Sequence, residues 1–472
     1  MKKINRLFET DKNRFCSIIF LCVSVIFYLF FALYDGVVIC VDSPSYIDMY
    51  PSREPFYCVF LATLRAMFSL FEKESTTHYL MAAVCIQSLL AAFAAWSMAD
   101  YLKKEFNLSY FQACIVLLIP LATSLLCRFA AQRASMYSNS ILTEGIACSL
   151  FLIYIRYLLE FFYKRSIKYL VILSVLSFIM ISTRKQMYVT LILLVIVTFW
   201  IYLAPNRGRG NKKDIFVVFI CTCCILISNK IFDNGYNYIV RGELGTHSSD
   251  NRFMATMVIY TSERTNGENI KDENARDLFY QIYDICDAQG YLKHSAGQGW
   301  YNRDNHFGDH YDNIQIDTLQ PMLHNYVYEN YVGSEIYLEQ KVDEITNQII
   351  EGLLPAVWTK VLGCFIDNFL SGLVTTVAKK HPILIMYSFV VYILYLILLI
   401  AHIKYEGMTK LAFLEICTML SIIINVAVVS MFIFCQTRYT IYNMPIFYIS
   451  LWILLIKHIT SLMNIVRKRI DY

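Results

Sequence analysis

Two short polar segments follow the first long apolar run of the chain: Asp-Ser-Pro-Ser-Tyr at residues 42–46 and Arg-Glu-Pro-Phe-Tyr at residues 53–57. A carboxylate just beyond about 20 apolar residues sits at a water–lipid boundary, where it can act on a substrate that is itself half lipid. Asp42 is therefore the first candidate for a general base, with Asp48 and Asp35 as neighbours that could take the same role. More polar groups recur at the ends of later apolar runs: Arg53 and Glu54, Arg128 and Arg133, Thr143-Glu144, Arg184-Lys185-Gln186, and Gln436-Thr437-Arg438-Tyr439. Taken singly, each has an ordinary explanation. Glu144 in a first helical turn suits the helix dipole, and Arg438 with Tyr439 suits an interface anchor. Taken together they offer a base, a positioning carboxylate in Glu144, and cations for a leaving phosphate in Arg184, Lys185, Arg438 and Arg53, with Tyr439 beside them.

Composition limits what can position these groups. With 472 residues, 57% hydrophobic and only 17% charged, the chain is far more apolar than a soluble globular protein, where about 25% of residues are charged. An all-α polytopic membrane protein is expected. The first apolar run is long enough to span and no small-residue cleavage site follows it, so it reads as a retained anchor. The net charge of +4 is small, and the basic residues cluster beside the spans without aromatic interleaving, which argues against a nucleic-acid partner. Most of the fifteen cysteines lie inside apolar runs, where a thiol acts as a small hydrophobe. A pairing of Cys58, Cys286 or Cys435 across loops stays open.

About ten spans are expected, over residues 15–41, 79–101, 108–127, 140–162, 167–183, 187–203, 215–232, 383–403, 411–435 and 444–463. This count puts Lys2, Lys3, Arg6, Lys103, Lys104, Lys164, Arg165, Arg207, Arg209, Lys404, Lys410 and the cluster 467–469 on one side, which the positive-inside rule assigns to the cytoplasm along with both termini. Two further stretches, 56–71 and 353–377, carry charges within an apolar stripe and read as interfacial helices, one after the first span and one before the eighth. Residues 167–203 form a hairpin, because one helix of that length would reach about 55 Å against a hydrocarbon core of about 30 Å. Its tip presents Arg184 and Lys185, as anion ligands or as lysine and arginine snorkelling to headgroups.

Three modules follow: an N-terminal membrane module (1–232), a mostly helical extracytoplasmic insert (233–381), and a C-terminal membrane module (382–472). Within the insert, helices are expected over 272–283 and 334–353. Residues 304–312 set His306 and His310 at i, i+4 among carboxylates, either a divalent-metal site on a helix face or a solvated acidic loop. No Walker loop, dinucleotide fingerprint, zincin motif or serine-nucleophile elbow is present.

Asp-Ser-x-x-Tyr after the first span, Arg-x-Pro-x-Tyr a few residues on, Leu142-Thr143-Glu144, Ser182-Thr183-Arg184-Lys185-Gln186, and Arg438-Tyr439 before a final span with Pro445 resemble the GT-C fold. These are integral-membrane glycosyltransferases that use polyprenyl-phosphate sugars. The likeness covers the membrane core and not the insert. It implies a polyprenyl-phosphate sugar donor, its phosphate held by Arg184, Lys185 and Arg438, and Asp42 as base on a hydroxyl of a glycan, lipid or protein acceptor. It also implies transfer at the outer face of a plasma (inner) membrane, and the tight loops lean bacterial. Two positions depart from the pattern. Ser43 replaces the second carboxylate common after the first span, which leaves a divalent metal unsupported at that point, and Lys185 stands where many relatives have proline. Two rival classes are a cell-envelope polysaccharide polymerase or ligase, whose chemistry would lie in residues 303–310, and a lipid-linked sugar transporter or flippase, which would carry ionisable groups near the bilayer midplane.

Overall fold

The computed structural model of the protein describes residues 2–70, 77–130, 135–203, 212–246 and 250–470. Among the described residues the architecture is helical, with one isolated backbone bridge, Val38 to Ser140, and no sheet. The first group comprises α1 (Lys2–Asp35), α2 (Ser43–Ile47), α3 (Pro55–Ser69), α4 (His78–Phe106), α5 (Tyr110–Ala130), α6 (Glu144–Lys164), α7 (Ile167–Thr183), α8 (Val189–Leu203) and α9 (Lys212–Arg241). A second group, α10 (Asp250–Thr261), α11 (Glu273–Ala288), α12 (Trp300–Asp312) and α13 (Gln320–Asn330), leads into α14 (Glu335–Val377). The chain closes with α15 (Pro382–Glu406), α16 (Lys410–Ser430), the short α17 (Thr437–Thr440) and α18 (Met444–Ile470).

Among the described residues, eight helices are long and apolar enough to cross a membrane: Asn13–Asp35, His78–Phe106, Tyr110–Arg128, Glu144–Lys164, Ile215–Arg241, Glu335–Val377, Pro382–Glu406 and Lys410–Ser430. Four more, Pro55–Ser69, Ile167–Thr183, Lys185–Ile201 and Met444–Thr460, are apolar but shorter. The chain is an all-α, multi-pass membrane protein. The run expected to continue to residue 41 stops at Asp35, because Gly36 takes φ +67° and Asn139 donates to the carbonyls of Phe31 and Gly36 at 2.8 and 3.2 Å. The hairpin over 167–203 turns at its polar triplet. Arg184 is extended there, and a 3-10 turn over Lys185–Tyr188 starts the return helix.

Buried apolar side chains separate into two cores. The larger is built from the membrane helices, and the smaller gathers residues between Ala255 and Cys364. In the second group, the Asp272 side chain accepts the Ala275 N–H at 2.9 Å and the Ser334 hydroxyl accepts that of Tyr337 at 3.3 Å. These caps satisfy orphan donors and mark where α11 and α14 begin. Helix α9 runs on past residue 232 to Arg241 without a break.

Helix α14 belongs to both cores: Val342, Ile349 and Leu353 pack in the smaller one, Leu373 and Val377 in the larger. Its 43 residues span about 65 Å. The stretch 353–377, expected as a separate helix lying in the interface, is instead the second half of this one long helix, which is long and apolar enough to cross a membrane. Of the stripe expected there, Trp358 is exposed, whereas Leu354, Val361, Phe369 and Leu373 pack partly buried against the two cores. Trp358, Leu362, Ile366 and Leu370 face outward, while Asp367, Asn368, Ser371 and Gly372 turn inward. The inward face is small and polar because it meets another helix closely: a Cβ on Gly372 would stand 2.4 Å from Val426 of α16. The end of α14 is held near the start of α18, where Tyr448 donates to the Val377 carbonyl at 2.5 Å. The far end of the bundle is marked by the Lys410–Glu105 ion pair, by Tyr163 donating to the Lys410 carbonyl at 2.8 Å, and by Lys457 near the Phe106 carbonyl at 3.4 Å.

Candidate functional site

The site forms where the segment after α1 is stitched to the segment before α6. The Val38 N–H donates to the Asn139 carbonyl and the Ile141 N–H to the Val38 carbonyl, both at 3.0 Å. Gln87 of α4, fully buried, accepts from the Tyr57 hydroxyl at 2.8 Å and donates to the carbonyls of Ser138 and Ser140 at 3.0 and 3.1 Å. Gly145 leaves the room this requires, since a Cβ there would lie 2.7 Å from the Gln87 side chain. Three connections of quite different sequence separation thus fix Asp42 against the start of α6.

Around that junction the carboxylates and guanidiniums interlock. One Asp42 oxygen accepts from Arg53 at 3.0 Å and the other meets Arg438 at 2.8 Å. Glu144, fully buried, accepts from Arg184 at 2.7 Å and from Arg438. Arg438 therefore bridges the two acids. Arg53 is set by the Ser45 hydroxyl at 2.7 Å and by the Tyr46 ring, 4.6 Å beneath its guanidinium. Tyr439 underlies Arg184 at 5.1 Å and Arg438 at 5.9 Å, as cation–π contacts. Gln186 ties the hairpin tip to the last loop, donating to the Tyr439 carbonyl at 2.6 Å and to Asn425 at 2.7 Å.

Not every expected residue joins this cluster. Lys185 pairs with Asp250 of the second group, while its backbone N–H donates to Glu54 at 3.0 Å. Asp48 is exposed at the end of α2, with its backbone N–H on the Pro44 carbonyl. Asp35 is held by both nitrogens of Arg128 at 2.9 Å and by the Ser135 hydroxyl at 2.8 Å, so it anchors α1 to α5. Arg133, Arg207 and Arg209 lie outside the described residues. Ser43 is buried and its hydroxyl accepts the Cys40 N–H at 2.7 Å; it shapes the turn and supplies no charge.

Burial works against ionisation of Asp42, but Arg438 and then Arg53 outweigh it and hold the carboxyl below its ordinary range. Asp312, the last residue of α12, comes close enough for its charge to interact with Asp42 and Arg438. Its carboxyl is pushed upward, first by partial enclosure and then by the like charges of Asp42 and Asp317, against the pull of Arg438. Because Asp312 keeps an exposed side chain, the like charges are the firmer cause. Nothing in the sequence pattern pointed to Asp312. Asn425 was readable, as an amide inside the apolar run 411–435.

The donor set does not fit a metal. Both Asp42 oxygens and one Glu144 oxygen are taken by guanidiniums, and among the described residues no group of three or more His, Cys, Asp or Glu side chains is arranged as a metal site. The 304–312 segment is helical, with Gly308 packed 3.3 Å (as a Cβ) from the Phe434 ring. There His306 meets the Tyr260 hydroxyl at 3.2 Å and the Gly290 carbonyl at 3.1 Å, and His310 stacks on Tyr291. Arg303 is bidentate to Asp367 at 2.7 Å and Asp304 pairs with Lys380, so the motif docks the insert onto α14. A cavity of about 70 Å³ adjoins Glu144, lined also by Tyr28, Pro120, Tyr137, Leu152 and Tyr442. No protein-family model, curated protein or solved structure matches the chain.

Proposed function

We propose that this protein is a membrane glycosyltransferase that moves a sugar from a polyprenyl-phosphate donor to a glycan, lipid or protein acceptor at the outer face of a bacterial plasma membrane, with both termini cytoplasmic. The observation that carries the reading is Arg438 bridging Asp42 and Glu144, with Arg53 and Arg184 completing the cluster at one end of the membrane bundle. Three guanidiniums converge in a partly desolvated pocket, and although Asp42, Glu144 and the exposed Asp312 balance them, their charge-assisted donors suit a phosphate and, more strongly, the charge that develops as it leaves. The guanidiniums are satisfied by carboxylates. A donor phosphate that takes up Arg184 and Arg438 frees Asp42 to accept a proton.

In the step itself, Asp42 takes the acceptor hydroxyl's proton and the hydroxyl oxygen forms a bond to the anomeric carbon. The bond from that carbon to the phosphate oxygen breaks with inversion, and its electron pair leaves on the lipid phosphate, held by Arg184 and Arg438. The engagement of Arg303, Asp304 and His306 in docking contacts favours this over a polymerase acting from residues 303–310. The test is Asp42→Asn in membranes supplied with radiolabelled polyprenyl-phosphate sugar. Transfer is lost while the protein inserts at normal levels; near-normal turnover removes Asp42 from the mechanism.

A further inference from the structure

Glu415 stands five residues into α16, about 8 Å along a membrane helix, and is completely buried. Neither of its carboxyl oxygens makes a hydrogen bond of good geometry, though the Tyr395 and Ser450 hydroxyls stand close enough to interact with the carboxyl, and the buried Thr418 hydroxyl one turn on makes none of good geometry either. The hydroxyls of Tyr395 and Ser450, 2.9 Å apart, lie beside it, Tyr395 donating to the Glu415 carbonyl at 3.1 Å. Among the described residues no ion pair reaches Glu415, and α8 and the adjoining end of α14 bring no charged side chain. The titratable neighbours on packed helices are Tyr395 on α15 and, toward the far end, His402 on α15 with His458 on α18, whose rings are 6.2 Å apart. A bare ionised carboxylate in such a place would cost several kcal/mol, so the group needs a positive charge that the protein does not supply.

We infer that Glu415, with the hydroxyls of Tyr395, Thr418 and Ser450, forms an intramembrane site for one monovalent cation, a proton or a sodium ion. Buried polar side chains continue from the site along α16. Glu415, Thr418, Ser421 and Asn425 follow one face of α16, and Asn443 donates to Ser421 at 2.8 Å, Asn425 to Asn443 at 2.8 Å, and Gln186 to Asn425 at 2.7 Å. That chain ends at Tyr439, beneath Arg184. The inference does not rest on the transferase reading, and its test does not read transfer.

Infrared spectra of the purified full-length protein in detergent, compared with Glu415→Gln, report the site directly. A proton site gives a protonated-carboxyl band that the variant lacks and that sodium does not change. A sodium site gives the same band in sodium-free buffer, lost on adding sodium with release of one proton per chain. Thr418→Val, which keeps the carboxyl, shifts the band if that hydroxyl takes part. Identical spectra for the wild type and Glu415→Gln, with and without sodium and with equal melting, would overturn the inference.

Discussion

Glu144 and Asp42 look equivalent as acids beside arginines, yet their surroundings predict opposite consequences of neutralising them. Glu144 has no exposed surface, and its partners Arg184 and Arg438 are each only 16% exposed. Glu144→Gln leaves Arg184 without its carboxylate and Arg438 with only Asp42, which Arg53 already holds, and breaking a buried pair from one side costs about 3–5 kcal/mol. Asp42 is 30% exposed and Arg53 26%, and Arg438 keeps Glu144 when Asp42 is lost, so Asp42→Asn costs roughly 1 kcal/mol or less. Unfolding titrated with SDS in mixed micelles measures both. Glu144→Gln should shift the folded-to-unfolded ratio at least about thirtyfold further than Asp42→Asn. Inorganic phosphate should recover more stability in Glu144→Gln than in the wild type, because an anion restores the missing charge; at 100 times its Kd it adds about 2.7 kcal/mol. Equal destabilisation by the two substitutions, or no preferential rescue by phosphate, would refute the argument that Glu144 neutralises a buried cationic pair.

Arg53→Gln removes one of the charges that lower the Asp42 pKa; a base must be ionised to work, so the acid limb of the transfer rate should move to higher pH, measured as rate against pH from 4 upward. Asp312→Asn removes a like charge next to Asp42 and should move the same limb slightly lower, whereas loss of turnover equal to that of Asp42→Asn would make Asp312 the base. Gly145→Ala pushes a methyl against Gln87 and should destabilise by about 1–3 kcal/mol, with partial recovery when Gln87 is shortened to Ala in the same chain. No disulfide joins any two cysteines among the described residues, so the melting temperature should be the same with and without reductant.

Much of the fold was legible in composition and spacing. Apolar runs of span length, the turn forced on residues 167–203, and the Asp272 and Ser334 caps each follow from local physics: hydrocarbon thickness, helix rise and orphan N–H groups. The stretch 353–377 was read as an interfacial helix because Lys360 and Asp367 interrupt its apolar run. In α14 those charges are taken up by Glu263 and Arg303 of the second group, partners that no local pattern names, and the small polar face of the same helix is left for close packing. Ser43, read as a missing carboxylate, turned out to be a buried turn residue, since a hydroxyl's partner cannot be told from its place in the chain.

By itself the sequence determined the class of protein, the apolar runs that become its membrane helices, and a set of acids and bases at span ends. Only the tertiary structure decided which of them meet. Asp42, Glu144, Arg184 and Arg438 are separated by tens to hundreds of residues, and they converge because Val38 pairs with Ser140, Gln87 clasps the same junction, and Gln186 reaches the last loop. The same packing sent Asp35 to Arg128 and Lys185 to Asp250, and brought in Asp312 from the insert. Spacing along a chain reports helix faces, whereas charge pairing is set by distances across the fold, which no local pattern encodes.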